Sequence, residues 1–309
     1  MVRLGITGQV DSFHSNCICS IVNGVTHLPS QTAGIFEKMP ELAGYQISCV
    51  YDPANRDAAM DVTSAFSIPH IASSPEEMAE MVDGVMILCE KNVTDHGKMA
   101  GFFLERRLPV YVDKPFAATV ADAEEIVNCA RRYETPVLSC SARRFDPLIV
   151  GGTALLRKEA KELFSAYVLS EWRYDIMLWY GVHAVDVLFA VLGPDVVAVH
   201  EMGDFRHRMM KLTYRNGLIA VVDLPYEIGV GTSVVVFGKR DGHNSYWYLG
   251  TGRTPLFFAG LIERFGSMIH SRCPPIPYAE MVHVIRVLNA AEQSLTERKE
   301  IKVDIGEAG

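Results

Sequence analysis

The sequence predicts an α/β protein in two parts: a doubly wound parallel sheet over residues 1–147, then an α+β domain with a largely antiparallel open sheet over residues 148–309. Three observations predict it. Short β-branched runs alternate with amphipathic stretches as far as Ser141, the βαβα rhythm of a parallel sheet. After Arg143-Arg144-Phe145-Asp146-Pro147 that rhythm gives way to successive strand-like segments, with Asn216-Gly217 as a hairpin signal between two of them. The run Val110-Tyr111-Val112 stops in Asp113-Lys114-Pro115-Phe116. Proline keeps Lys114 out of the helical region, just past a buried strand's carboxyl end, and that is the edge where open α/β sheets bind ligands.

The elements follow in order. Val2–Thr7 reads as a strand and Phe13–Val22 as a helix. Tyr45–Tyr51 is a strand ended by Asp52-Pro53, and Arg56–Ala65 and Pro75–Met81 are helices. The second of these helices opens with Ser74-Pro75-Glu76-Glu77, in cap-and-first-turn order. Val85–Cys89 is a strand, His96–Arg106 a helix and Val110–Val112 a strand. Val120–Tyr133 carries acids early (Asp122, Glu124, Glu125) and arginines late (Arg131, Arg132), as the helix dipole prefers. Val137–Ser141 closes the first half as a strand. The second half holds a helix over Thr153–Leu163, a strand over Ser165–Trp172 and a helix over Trp179–Leu192 stopped by Gly193-Pro194. Strands follow at Val196–Glu201, Met209–Tyr214, Leu218–Pro225, Ser233–Gly238 and Tyr246–Leu249, then helices over Leu256–Ile269 and Tyr278–Glu297, and a last short strand at Glu300–Val303.

Composition narrows the function classes. The chain has 309 residues, 49% hydrophobic and 21% charged, with a formal charge of −8. That balance argues against nucleic acid and against an anionic membrane surface as main partners. No apolar run approaches the ~20 residues of a membrane helix, and Val2-Arg3-Leu4-Gly5-Ile6 leads into a strand without a secretory pattern. The seven cysteines are scattered and odd in number, as in a reducing compartment, so a cytoplasmic location is expected. Cys17-x-Cys19 has no matching Cys or His cluster and reads as helix packing, so no metal site is expected.

Chemistry-bearing residues fall in four places. The first turn, Gly5-Ile6-Thr7-Gly8-Gln9-Val10-Asp11-Ser12-Phe13, lies where a dinucleotide site wants G-x-G-x-x-G. Only Gly8 fits; Val10 and Phe13 occupy the second and third glycine places. Asp11 or Ser12 is a candidate helix cap, and an acid there repels phosphate. Asp52 follows the second strand, where an acid accepts hydrogen bonds from the ribose hydroxyls of NAD. Its distance from Gly8 exceeds the usual ~20 residues, and the surplus, Asn23–Pro40, reads as an inserted loop. Asp52 reads equally well as a cap ahead of the Arg56 helix, and Arg56 would suit a 2′-phosphate, so NADP stays open beside NAD. Lys114 is a cation for cofactor or substrate or a proton donor, and equally a solvated turn lysine. In Gly181-Val182-His183-Ala184-Val185-Asp186, His183 and Asp186 share a helix face. Histidine can pass a proton to or from a hydroxyl or carbonyl, although a lone histidine in an apolar helix is more often structural.

Taken together these segments resemble the glucose–fructose oxidoreductase/inositol dehydrogenase (Gfo/Idh/MocA-like) family, nearly end to end. Asp113-Lys114-Pro115 is similar to that family's Glu-Lys-Pro motif, and Arg144-Phe145-Asp146-Pro147 to the segment joining its domains. Gly181-x-His183-x-x-Asp186 with Leu192-Gly193 is similar to its catalytic helix, and Pro277 to Ser294 to its terminal helix. Asp83-Gly84-Val85 through His96 is similar to the strand and helix flanking the nicotinamide, which would bring Cys89 and His96 to the cofactor with Gly8, Gln9, Val10, Asp52, Arg56, Asp113, Lys114 and Pro115. The resemblance implies a Rossmann domain and a substrate domain that forms homodimers or homotetramers through its sheet. Two departures stand out. The glycine turn is degenerate, and Trp179 stands where many catalytic members carry an aspartate four residues before the histidine, so a relay would draw on Lys114, Asp175 or Asp186.

The leading expectation is an NAD(P)-dependent oxidoreductase that moves a hydride between nicotinamide and a polyol, sugar or related hydroxy compound. Lys114, His183 and Asp186 are its catalytic candidates, and Arg144 (or Arg143), Tyr174, Asp175 and Trp179 its substrate candidates. Trp179 and Tyr180 suit stacking on a ring, although helix-face aromatics are usually core. His243 and Trp247 read as structural or interfacial. Two alternatives accompany it: redox-assisted elimination or hydrolysis of a sugar with a retained nicotinamide, and a non-catalytic nucleotide-binding regulator.

Overall fold

A computed structural model of the chain describes residues 1–26, 41–89, 92–171, 177–229, 231–252 and 256–305. Most of the insertion expected over Asn23–Pro40, together with Tyr174 and Asp175, lies outside the described residues. By its contacts the chain forms two units: residues 1–117, 121–140 and 254–277, and residues 118–120, 141–253 and 278–309.

The first unit holds β1 (Val2–Gly8), α1 (Phe13–Asn23), β2 (Tyr45–Tyr51), α2 (Arg56–Phe66), β3 (His70–Ile71), α3 (Pro75–Met81), β4 (Gly84–Leu88), α4 (His96–Glu105), β5 (Val110–Val112), α5 (Val120–Arg132) and β6 (Val137–Leu138). Its six strands lie in the order β3-β2-β1-β4-β5-β6, all parallel. Helix starts follow local chemistry. Ser12 Oγ accepts the Ser15 N–H at 3.1 Å, and Asn55 Oδ1 accepts the Ala58 N–H at 3.1 Å. Ser74 caps α3 while Glu77 reaches back to the Ser73 N–H at 2.7 Å, a reciprocal pair that satisfies two orphan donors.

The second unit holds a 3₁₀ turn (Ala142–Phe145), α6 (Pro147–Glu159), β7 (Glu162–Leu169), α7 (Met177–Leu192), β8 (Val196–Glu201), β9 (His207–Tyr214), β10 (Ile219–Pro225), β11 (Ser233–Arg240), β12 (His243–Gly250), α9 (Tyr278–Glu297) and β13 (Ile301–Lys302). The sheet order is β12-β11-β7-β10-β9-β8-β13, antiparallel except for the β7/β10 pair. Alternation along β9, β10 and β11 turns Met210, Leu212, Ala220, Val222, Val234 and Val236 inward to a core shared with α7 and α9.

Three expectations change. The helix expected over Thr153–Leu163 instead spans Pro147–Glu159, because Asp146 caps it and Pro147 fills its first turn, while alternation from Glu162 onward forms β7. The strand expected over Val137–Ser141 stops at Leu138, since Ser141 turns to cap the 3₁₀ turn. The segment 254–277, read as part of the second domain, packs within the first unit. Its helix, α8 (Phe257–Ser271), lays Phe258, Leu261, Ile262, Phe265 and Met268 inward, and a Cβ on Gly266 would come 2.2 Å from the Tyr45 ring. No helix among the described residues is long and apolar enough to cross a membrane.

Buried polar groups set the placement of α7. The Met177 N–H donates to Glu292 Oε1 at 2.7 Å, and Arg208, 1% exposed, donates to Glu292 at 3.2 Å and to Glu201 at 3.1 Å. On α9, His283 stacks on Phe189 with centroids 5.6 Å apart and donates from Nε2 to Val196 O at 2.9 Å. Burial drives its pKa down to about 4 from 6.5. Unfolded chain therefore takes up a proton that the folded ring refuses, and this stability is full above pH 6.5 and lost as pH falls toward 4. Replacing His283→Phe should narrow the stability gap to the parent by about 3 kcal/mol between pH 7 and pH 4. Denaturant melts across that range check it; a pH-independent gap contradicts it.

Candidate active site

At the carboxyl edge of the parallel sheet, β1 ends in Gly8 with φ +104. A Cβ there would lie 3.1 Å from both the Leu88 carbonyl oxygen and Cys89 Cβ, so glycine is required for conformation and for space. The Gln9 N–H donates to Leu88 O at 2.8 Å. Val10, at the second glycine place, is fully buried, and its N–H faces Asp52 Oδ2 at 3.4 Å. Asp52 Oδ1 closes the following turn by accepting the Ala54 and Asn55 N–H groups, each at 2.9 Å. Asn55, not Asp52, is the α2 cap, and Ser12, not Asp11, caps α1; Asp11 and Arg56 are exposed.

A cavity of about 1000 Å³ is lined mostly by α4 and α5, with Thr7, Tyr51 and Pro53 also on its wall; Gly8, Gln9, Val10 and Asp52 do not line it. Gln9 Oε1 is buried and has no hydrogen-bond partner among the described residues. A required glycine, an acid at the end of β2 and an orphaned polar atom fit a dinucleotide.

Past β5 the chemistry is denser. Asp113 is 1% exposed and faces His14 Nδ1 at 2.7 Å, and the Tyr111 hydroxyl lies 3.2 Å from Asp113 Oδ1 and from Cys140 O. Burial pushes the Asp113 carboxyl up, but the charges of His14 and Lys114 and the hydrogen bond from His14 outweigh it and hold the pKa at about 2. Asp113 is thus spent inside the fold. Lys114 is 6% exposed, ahead of a cis bond to Pro115, and is not the solvated turn lysine of the plainer reading. His96 is fully buried, with Nε2 3.1 Å from Cys89 O and Nδ1 3.2 Å from Phe116 O, so it joins the ends of β4 and β5 through backbone. Burial raises the Cys89 thiol pKa.

In the second unit, α7 carries His183, 7% exposed, with Nδ1 2.7 Å from Ser141 Oγ. Asp186 does not meet that ring in a described hydrogen bond. Its Oδ2 accepts the Ser141 N–H at 2.7 Å and its Oδ1 accepts Arg144 Nη1 at 2.7 Å. Burial raises the Asp186 pKa to about 6 against the pull of Arg144, with Glu280 adding to the rise. Arg144 also donates to Glu280 at 2.7 Å, and Arg143 to Thr232 at 2.9 Å and to Glu171, so both arginines brace the unit. Trp179 is half-buried, and the Tyr180 ring meets His183 edge-on at 5.8 Å. Trp247 is buried in β12 and donates to Glu159 at 3.0 Å.

Residues 26–139 match the model of an oxidoreductase family with an NAD-binding Rossmann fold, GFO_IDH_MocA. The uncharacterized oxidoreductase YgjR of Escherichia coli (strain K12) is 28% identical over 105 residues, which span 33% of this chain and 31% of that protein. Over residues 26–139 the chain is similar to the Gfo/Idh/MocA-like oxidoreductases. Solved structures carry the likeness of fold over the whole length. A putative myo-inositol dehydrogenase from Sinorhizobium meliloti 1021 superposes with a TM-score of 0.80 at 14% identity, covering 98% of this chain and 100% of that one. The myo-inositol dehydrogenase from Lactobacillus casei, in complex with NAD(H) and myo-inositol, gives 0.80 at 13% identity, covering 100% and 98%. Identities this low speak for the fold alone.

Two residues bonded to the candidate site groups escape sequence reasoning, His14 and Ser141. The cap at Ser12 puts His14 in the first turn of α1, but nothing local links it to Asp113. Because each partner leaves the other uncompensated when removed, His14→Ala and Asp113→Asn should be non-additive, with a coupling of about 2 kcal/mol. A double-mutant cycle in urea checks this, and additive losses contradict it.

Proposed function

We propose that this protein is an NAD-dependent oxidoreductase transferring a hydride between nicotinamide and a polyol, sugar or related hydroxy compound, with Lys114 and His183 handling the proton of the reacting oxygen. The observation that carries the proposal is the edge formed by Gly8, Val10 N–H and Asp52 at the carboxyl end of the parallel sheet. Bound nicotinamide supplies the hydride chemistry. The chain's own residues do the rest. Asp52 accepts from ribose hydroxyls, and Gln9 Oε1 gains the partner it lacks. Lys114, held beside the Asp113 anion, polarises or deprotonates the reacting oxygen, and His183 shares its proton. NAD rather than NADP follows from the carboxylate at Asp52, which repels a 2′-phosphate.

The substrate class rests on the inositol dehydrogenases among the structural neighbours. Assembly into a homodimer or homotetramer through the C-terminal sheet belongs to the same proposal, supported by exposed Phe237, Tyr246 and Tyr248 on β11 and β12. A cytoplasmic location belongs to it too, and free thiols such as Cys19, Cys49 and Cys89 suit a reducing compartment.

Titration with NADH, followed by energy transfer from the three tryptophans, should show micromolar binding, weaker NADPH binding and about a tenfold loss in Asp52→Ala. Absence of binding to folded, ligand-stripped protein would falsify the hydride reading and favour a regulatory role. With cofactor bound, Lys114→Ala should lower kcat by about 10²–10⁴-fold while cofactor affinity moves little. Unchanged kcat removes Lys114 from the chemistry.

A further inference from the structure

We propose that Ser141 is a positioning residue that fixes His183 as the Nε2-protonated tautomer, so that the neutral ring offers an N–H to a ligand oxygen. The assignment deepens the functional reading above and rests on it for the identity of that ligand. Its geometric part stands on the second unit alone.

Ser141 has no exposed surface. Its N–H donates to Asp186 Oδ2 at 2.7 Å, and its carbonyl accepts the Arg144 N–H at 3.2 Å. Its hydroxyl oxygen accepts the Arg143 N–H at 3.3 Å and lies 2.7 Å from His183 Nδ1. A serine hydroxyl has one hydrogen. Among the described hydrogen bonds of Ser141 Oγ, the acceptor for that hydrogen is His183 Nδ1. Were Nδ1 itself protonated, the oxygen would accept twice and its own hydrogen would be buried without an acceptor. That penalty favours the first arrangement by about tenfold or more. With Nδ1 accepting, a neutral imidazole carries its proton on Nε2.

The surrounding charges hold the serine. Asp186 spends Oδ2 on the Ser141 backbone and Oδ1 on Arg144, and Arg144 spends its second nitrogen on Glu280. The carboxylate thus grips the residue that sets the ring. A ring protonated at Nε2 cannot take a proton there. Its Nε2–H is a donor to a ligand oxygen, which is how His183 shares a proton in the reading above.

The test is a multiple-bond ¹⁵N–¹H spectrum of the full chain with labelled histidine, at a pH above the ring's titration. The ten histidines are resolved by the signals lost in His183→Gln. The expected spectrum has His183 Nδ1 bare and Nε2 protonated. In Ser141→Ala that single form should give way to a mixture of tautomers, and in Ser141→Asp, which offers only an acceptor, it should invert to Nδ1–H. Should the aspartate not fold beside Asp186, the alanine variant carries the test. A protonated Nδ1 in the parent, or an unchanged spectrum in Ser141→Ala, overturns the proposal. NADH titration of the same sample reports separately on the functional reading, so loss of one is told apart from loss of the other.

Discussion

Asp113 is a carboxylate with almost no contact with water, and desolvation alone would leave it protonated or expel it from the fold. It stays an anion because His14, Lys114 and the Tyr111 hydroxyl surround it. Much of the first unit follows from that grouping. The first turn of α1 must come down on the end of β5, which fixes where the Gly8 loop runs. Phe258 of α8 packs edge-on against His14 at 5.2 Å, so the helix late in the chain is drawn into the same cluster. Lys114, next in sequence to the anion, is carried with it past the carboxyl end of β5. Asp113 of the Asp113-Lys114-Pro115 motif is therefore an anchor within the first unit.

The second unit repeats this logic with different atoms. His183 sits in a helix that is apolar nearly all round, and such a helix is placed by its core contacts and not by its histidine. Orientation of the ring comes from Ser141, which Asp186 and Arg144 hold from behind. Glu292 performs a similar service at the start of α7 by meeting the Met177 N–H while paired with Arg208. In both units buried charges are compensated in groups, and the group presents one side chain with a fixed geometry.

Local chemistry was legible and long-range chemistry was not. Tyr45–Tyr51, Pro75–Met81, Val110–Val112, Val196–Glu201 and Tyr278–Glu297 run as read, because each is bounded by its own caps, prolines or change of period. The Asn216-Gly217 hairpin forms, with Gly217 at φ +86. β3, two residues long, is too short to show a period. The α6/β7 shift arose where a weak helical stripe ran on into strand alternation. The packing of α8 in the first unit, and the pairings His14–Asp113 and Ser141–His183, depend on residues many elements apart, and no spacing rule carries that information. Lys114 and His183 were readable as candidates; the groups that hold them were not.

Hydride transfer is the claim that gives these arrangements a purpose. The most direct measurement supplies the protein with NADH deuterated at nicotinamide C4, presents a panel of keto-polyols and keto-sugars, and follows the products by mass spectrometry. The account predicts one carbon-bound deuterium in at least one reduced product, lost in Lys114→Ala. A protein that binds the cofactor and passes deuterium to no member of the panel would contradict it.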